Sequence, residues 1–164
     1  MAKSITKGGA QIEAVLLATL AKLQKGVCDA LFTSGGLVIG SSSKPKVKVA
    51  NTLIGILDGV LFSKASAEVV LAGTVTNAKF NVFVLTVKNS GTLTARMGTE
   101  GAALINVVFP TIPADELVIG FVIVNPTGTG NFVGGTTDLD DATVAPNAVY
   151  VNSAFAFNPA AVTL

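Results

Sequence analysis

Phe80-Asn81-Val82-Phe83-Val84-Leu85-Thr86-Val87 is followed by Lys88-Asn89-Ser90-Gly91 and then by Thr92-Leu93-Thr94-Ala95-Arg96-Met97. β-Branched and aromatic residues fill both runs, and an Asn-Ser-Gly break separates them, which predicts a β-hairpin. In the first run Phe80, Val82 and Val84 point one way, and Phe83, Leu85 and Val87 the other. A strand with one wet face alternates apolar with polar residues, so this strand is to be covered on both faces. Burying one large aliphatic side chain stabilises by about 1.5–3 kcal/mol, so leaving a dozen of them wet is not tolerable.

Outward from this stretch the same grammar repeats. Ile54-Gly55-Ile56-Leu57, Asp58-Gly59 and Val60-Leu61-Phe62 read as a second hairpin, because Asp-Gly between apolar runs favours a type I′ turn. Further strands are expected near 68–72, 104–109, 117–125 and 148–157. Leu117–Val124 is continuously apolar apart from Gly120. Toward the N-terminus the period changes. Ile12, Val15, Leu16, Leu20, Leu23 and Val27 recur at spacings of three and four, and Lys22, Lys25 and Gly26 supply a C-terminal helix signal. Residues 10–25 are therefore expected to be helical, lying on a single core or else forming a bundle or docking segment. The fold class expected is mostly β: an antiparallel β-sandwich or barrel-like domain over 46–164, preceded by an N-terminal arm and helix over 1–45.

Composition bounds the chemistry. The chain has 164 residues, enough for one domain with a real core. It has no histidine and one cysteine, Cys28, which removes an intrachain disulfide, Cys/His zinc clusters and the His-dependent nucleophile systems. Charged residues make up 13%, against about 25% in ordinary soluble domains, and mean hydropathy is +0.66. No apolar run approaches the ~18 residues of a membrane helix, and Lys22 and Lys25 close the one segment that resembles a signal peptide. A charge-poor chain without a span is reconciled by self-association that hides apolar surface.

The charges are segregated along the chain. Residues 1–96 hold all eleven basic residues and four acids, a net of +7; residues 97–164 hold six acids and no base, a net of −6. This pattern fits either ordinary solvated surface or a molecule whose basic part docks on an acidic platform. Lys3, Lys7, Lys22, Lys25, Lys44, Lys46 and Lys48 are the candidate docking residues. Within them, Lys44-Pro45-Lys46-Val47-Lys48 also reads as an edge strand guarded by lysine and proline. Nucleic acid is not an expected partner, since basic residues do not interleave with aromatic ones.

Motifs of catalysis are missing. Gly128-Thr129-Gly130 with Gly134 has the wrong spacing for a dinucleotide loop and follows Pro126 in a turn. Asp138-Leu139-Asp140-Asp141 lacks the central glycine and distal glutamate of a calcium loop, so no metal or other cofactor is expected. Asp115–Glu116 and Asp140–Asp141 are sequence neighbours, whose side chains diverge rather than flank a scissile bond. With Tyr150 as the single tyrosine and no tryptophan, a sugar-stacking surface is also disfavoured.

Four segments in order carry a family likeness. They are Ile56-Leu57-Asp58-Gly59-Val60-Leu61-Phe62-Ser63-Lys64-Ala65, Phe83 to Thr94, Phe109-Pro110-Thr111-Ile112-Pro113 leading into Leu117-Val118-Ile119-Gly120-Phe121, and Asn131-Phe132-Val133-Gly134-Gly135-Thr136-Thr137-Asp138-Leu139-Asp140. The region 54–145 thereby resembles virion structural proteins of tailed bacteriophages. The resemblance implies a non-enzymatic capsid decoration, cement or head-fibre protein, a homotrimer bound to the major capsid protein on the virion surface and made in the host cytoplasm. It brings no catalytic residues. A fibre or tail-associated adhesin module binding a host-surface glycan or receptor is the alternative.

Overall fold

The computed structural model describes residues 29–153, and the expected helix over 10–25 lies outside them. The described residues are mostly β, with antiparallel sheets packed together and no closed barrel among them. The strands are β1 (Ala30–Leu31), β2 (Leu37–Ile39), β3 (Lys46–Val49), β4 (Leu53–Leu57), β5 (Val60–Lys64), β6 (Ala67–Val70), β7 (Thr74–Val75), β8 (Asn81–Val87), β9 (Leu93–Met97), β10 (Leu117–Val124), β11 (Phe132–Val133) and β12 (Val149–Asn152). They form four sheets in the orders β1-β4-β5, β2-β3-β6, β11-β7 and β12-β10-β8-β9.

Both expected hairpins form. Asp58 and Gly59 have φ of 52° and 75°, the pair of positive values that a type I′ turn needs. At the β8–β9 turn Gly91 N–H donates to Lys88 O at 2.8 Å and Lys88 N–H to Thr92 O at 2.9 Å, so Gly91, at φ 79°, closes a three-residue loop.

All seven residues of β8 are buried, as two-sided burial requires. Phe83, Leu85 and Val87 face the larger core, with Leu37, Val47, Val49, Leu53, Leu57, Phe62 and Phe132 from the other sheets. Phe83 and Phe132 meet edge to face with centroids 5.9 Å apart. On the opposite face Val82 and Val84 join Val107, Val118 and Phe121 in a second core. Its cover is an irregular segment of the same chain. Residues 98–113 fold back across the strands, tied by Gly98 N–H to Val82 O at 2.8 Å and by the bridges Phe80–Gly101 and Thr99–Val108. Leu104, Phe109 and Ile112 pack from that segment, with Phe109 edge-on to Phe121 at 5.3 Å.

The unbroken apolar run of β10 has a specific cause. Val118 pairs with Thr86 and Gly120 with Leu85, leaving Ile119 as an extra residue in a β-bulge. The bulge switches the parity of the strand. Leu117 and Ile119 enter the larger core before it, and Val122 and Val124 after it. Gly120 sits at φ 151°, where an added Cβ would stand 2.4 Å from Val151 O and 2.7 Å from Leu37 Cδ1.

Strands pair across position 45/46, β2 with β3 and β1 with β4. Two expectations are corrected. Lys46–Val49 is no edge strand: β3 is hydrogen-bonded on both sides, to β2 and to β6. The run 104–109 forms no strand but a 3-10 turn, Leu104–Asn106, within the covering segment.

Gly120→Ala should destabilise the protein by about 2–4 kcal/mol, since both the backbone conformation and the contact with a carbonyl oxygen are unfavourable for a side chain. Urea denaturation checks this as a lower midpoint at unchanged slope.

Candidate functional site

Of the expected docking lysines, Lys3, Lys7, Lys22 and Lys25 lie outside the described residues. The other three are placed by β3 and the turn before it. Val47 and Val49 are fully buried, so alternation sends Lys46 and Lys48 to the outer face of the β2-β3-β6 sheet. There Val38, Lys48 and Glu68 stand in one cross-strand row.

Glu68 organises this end. Its Oε1 accepts the Ser41 and Ser42 N–H groups at 2.8 and 2.7 Å, and its Oε2 accepts the Ser42 hydroxyl. Bonds from Ser42 first, then Ser41, hold its pKa down at about 2. Lys48 Nζ donates to Ser41 Oγ at 3.0 Å, so the lysine is tied to the same serine loop.

Lys44 reaches the acidic turn instead. Its Nζ lies 2.7 Å from Asp140 Oδ2, and the Leu139 N–H donates to Lys44 O at 3.2 Å. Leu139 is buried in the larger core. Asp141 Oδ1 caps its own turn by accepting the N–H and hydroxyl of Thr143 at 2.8 and 2.7 Å and the Val144 N–H at 3.2 Å. These carboxylates are engaged in building a turn, and no group of acids among the described residues is placed to hold a metal ion. Gly128, of the Gly-Thr-Gly sequence, marks a chain crossing: an added Cβ would fall 1.2 Å from Thr143 O.

Asp115 and Glu116 diverge, as sequence neighbours should. Exposed Asp115 pairs with Lys88 at 2.8 Å. Glu116, with 1% of its side chain exposed, receives Arg96 in a bidentate pair, Nη2 to Oε1 and Nε to Oε2, the latter at 3.0 Å. Thr86 Oγ1 donates to Glu116 Oε2 at 2.6 Å. The Arg96 bonds hold the Glu116 pKa below its ordinary 4.5 against the opposing effect of burial. Sequence reasoning missed this triad. Its one signal was the chain's sole arginine in a strand of alternating character, with a glutamate heading an apolar run.

All three ion pairs among the described residues join a base before position 97 to an acid after it. The charge segregation of the sequence is therefore neutralised in space at these points.

The outer surfaces are more apolar than the lysines suggested. Ile105 and Val108, 67% and 60% exposed, stand on the segment covering the second core. Exposed Val149 lies beside half-buried Ile123, its partner across the strands on that same side of the sheet. A second apolar face, on β1-β4-β5, carries Phe32, Ile54 and Leu61. A shallow open depression of about 370 Å³ lies between Lys64, Glu68, Ser90 and Thr92 and has no buried polar lining.

Arg96→Met should cost about 2–4 kcal/mol, because it strands a buried carboxylate. Adding Glu116→Leu should restore most of that loss, giving a strongly non-additive cycle in denaturation. The pH dependence reverses with it. In the wild-type protein the depressed Glu116 pKa adds stability that is present above 4.5 and is lost as pH falls through the folded value. In Arg96→Met the unpaired carboxyl is to be raised instead, so acidification should stabilise the variant relative to neutral pH.

At Glu68, a carbon-detected NMR titration should show the carboxylate ionised down to a midpoint at about 2. The Ser41 and Ser42 amide resonances should move with the same midpoint, since their donors lose the charged acceptor there.

In comparison with known proteins, no family model matches the chain, and no curated protein and no solved structure matches it.

Proposed function

We propose that the chain is a non-enzymatic virion structural protein of a tailed bacteriophage, which decorates and stabilises an assembled capsid as a homo-oligomer, a trimer by the resemblance of residues 54–145. One observation carries the reading. Ile105 and Val108 on the segment covering the second core, and Val149 beside half-buried Ile123 on the four-stranded sheet, are exposed apolar side chains suited to contact with a further copy of the chain. The carboxylates of the described residues support the same reading. Glu116, Glu68, Asp115, Asp140 and Asp141 each accept bonds that fix a strand or a turn, which suits a rigid scaffold.

Decoration works by mass action. A protein that binds the closed shell, and not its loose subunits, stabilises the shell by the free energy of binding. Several copies in one oligomer multiply weak contacts through effective concentration. Lys46 and Lys48 lie on the outer face of the β2-β3-β6 sheet, which supports assigning to them the contact with an acidic shell protein.

Light scattering on the purified protein should give a mass about three times the 16.5 kDa of one chain. A monodisperse monomer would remove the self-association on which the reading stands. Immunogold labelling of particles from a lysate should then place the protein on heads. Label on tail fibres would favour the adhesin alternative, and unlabelled particles would end both.

A further inference from the structure

We infer that the open edge of β5 is a self-pairing surface, through which two copies of the chain meet about a two-fold axis and join their β1-β4-β5 sheets into one of six strands. The bonding pattern of the hairpin defines the edge. Asp58-Gly59 is a two-residue loop, so Leu57 and Val60 close it as a bonded pair, and alternation makes Gly55–Phe62 and Leu53–Lys64 the next bonded pairs. Ile54 O agrees with this: it turns away from Ser63, its residue's partner in β5, and accepts Phe32 N–H at 2.8 Å on the β1 side. The N–H and C=O groups of Leu61 and Ser63 therefore aim away from β4. Among the described residues no strand lies beyond them. Proteins usually blunt such an edge with proline, a bulge or charge. β5 has no proline, its register with β4 is unbroken over all five residues, and Val60 and Leu61 are exposed. Its one charge, Lys64, stands at the far end.

Register and charge choose a second copy as the occupant. Antiparallel pairing centred on Phe62 sets Leu61 of each copy opposite Ser63 of the other, so every outward backbone group of both strands finds a partner. A slide of two residues either way would set Ser63 against Gly59, or Leu61 against Ala65, outside the strand. On the outer side the two Leu61 side chains become diagonal neighbours about 7–8 Å apart, within reach of one another. Phe62 is buried in the larger core, so alternation places Val60 and Lys64 on the inner side with it. There Val60, 50% exposed, receives the aliphatic stem of Lys64 from the second copy. The ammonium reaches on toward the hairpin tip, where exposed Asp58 stands with its N–H bonded to Asp29 Oδ1. Lys64, Asp58 and Asp29 enter none of the three ion pairs among the described residues, and the two-fold axis brings these charges together at both ends of the seam. The contact is weak. One seam of five-residue strands falls well short of the about 800 Å² that each partner gives to a stable interface, so it joins copies already held close together, not free chains. It uses none of Ile105, Val108 and Val149 and stands apart from the capsid reading.

The test uses full chains with Cys28→Ala and one new thiol each. Positions 61 and 63 of the two copies form a bonded pair with Cα atoms about 5.5 Å apart, inside the range that a disulfide spans. At about 1 mM protein, Leu61→Cys mixed with Ser63→Cys should oxidise to a mixed two-chain disulfide at least about tenfold faster than Ser90→Cys, exposed on the β8–β9 turn, couples to itself. Lys64→Glu in both partners should lower that rate several-fold at low salt, by setting a carboxylate against Asp58, and added salt should restore it. A rate no higher than that of the Ser90→Cys control would overturn the inference. So would Leu61→Cys coupling to itself as fast as to Ser63→Cys, which would signal contact through the sheet face and not its edge. A rate indifferent to Lys64→Glu would take the hairpin tip out of the contact and overturn the register with it. The disulfide forms between separately purified oligomers, so its absence leaves the mass expected from light scattering untouched, and the two readings fail independently.

Discussion

Two-sided burial of the β8–β10 pair is the constraint from which the rest of the structure follows. A strand in the middle of a sheet satisfies its backbone through its neighbours, but its side chains need apolar contact above and below. β8 meets this with strict alternation, sending Phe83, Leu85 and Val87 one way and Val82 and Val84 the other. β10 meets it with a parity change. The extra residue at Ile119 and the open backbone at Gly120 let one eight-residue strand present Leu117, Ile119, Val122 and Val124 to one core and Val118 and Phe121 to the other. Without the bulge, half of that strand would carry its side chains to the wrong side.

Covering both faces inside one chain is costly in segments. The larger core takes up nearly all the remaining strands, so the second core is left to an irregular stretch, residues 98–113, closed by two isolated bridges and a 3-10 turn. Such a cover is thin. Its inner residues, Val107 and Phe109, are packed, while Ile105 and Val108 on the same segment face outward. Apolar surface thus reappears one layer further out.

The sequence disclosed the parts of the fold whose physics is local. Asp58-Gly59 and Asn89-Ser90-Gly91 fix their hairpins through backbone preferences that a few residues contain. The double-faced run at 80–87 announced its burial because no wet strand would be composed that way. β1, β2, β7 and β11 were not legible: two- or three-residue strands among glycines and serines are too short to show a period, and they exist because distant partners complete them. The run 104–109 misled for the opposite reason, since an apolar cover and an apolar strand are composed alike. Lysine and proline around β3 suggested an edge, yet the lysines mark only the wet face of a strand paired on both sides. For the candidate site the charge asymmetry was visible, but not that Lys44, Lys88 and Arg96 each spend their charge on an acid from the other half of the chain.

That pairing changes what can drive association. Exposed pairs such as Lys44–Asp140 and Lys88–Asp115 add little to stability, but they do reduce the far field that a +7 and −6 division would have produced. With the field reduced, long-range steering between opposite poles is a weaker basis for docking than short-range contact. Short-range contact is what the exterior offers: Phe32 and Leu61 at the β1-β4-β5 sheet, and Ile105 and Val108 on the covering segment, stand exposed. Contact through such faces should depend on shape and buried area and respond little to salt, which separates it physically from binding through the lysines of β3.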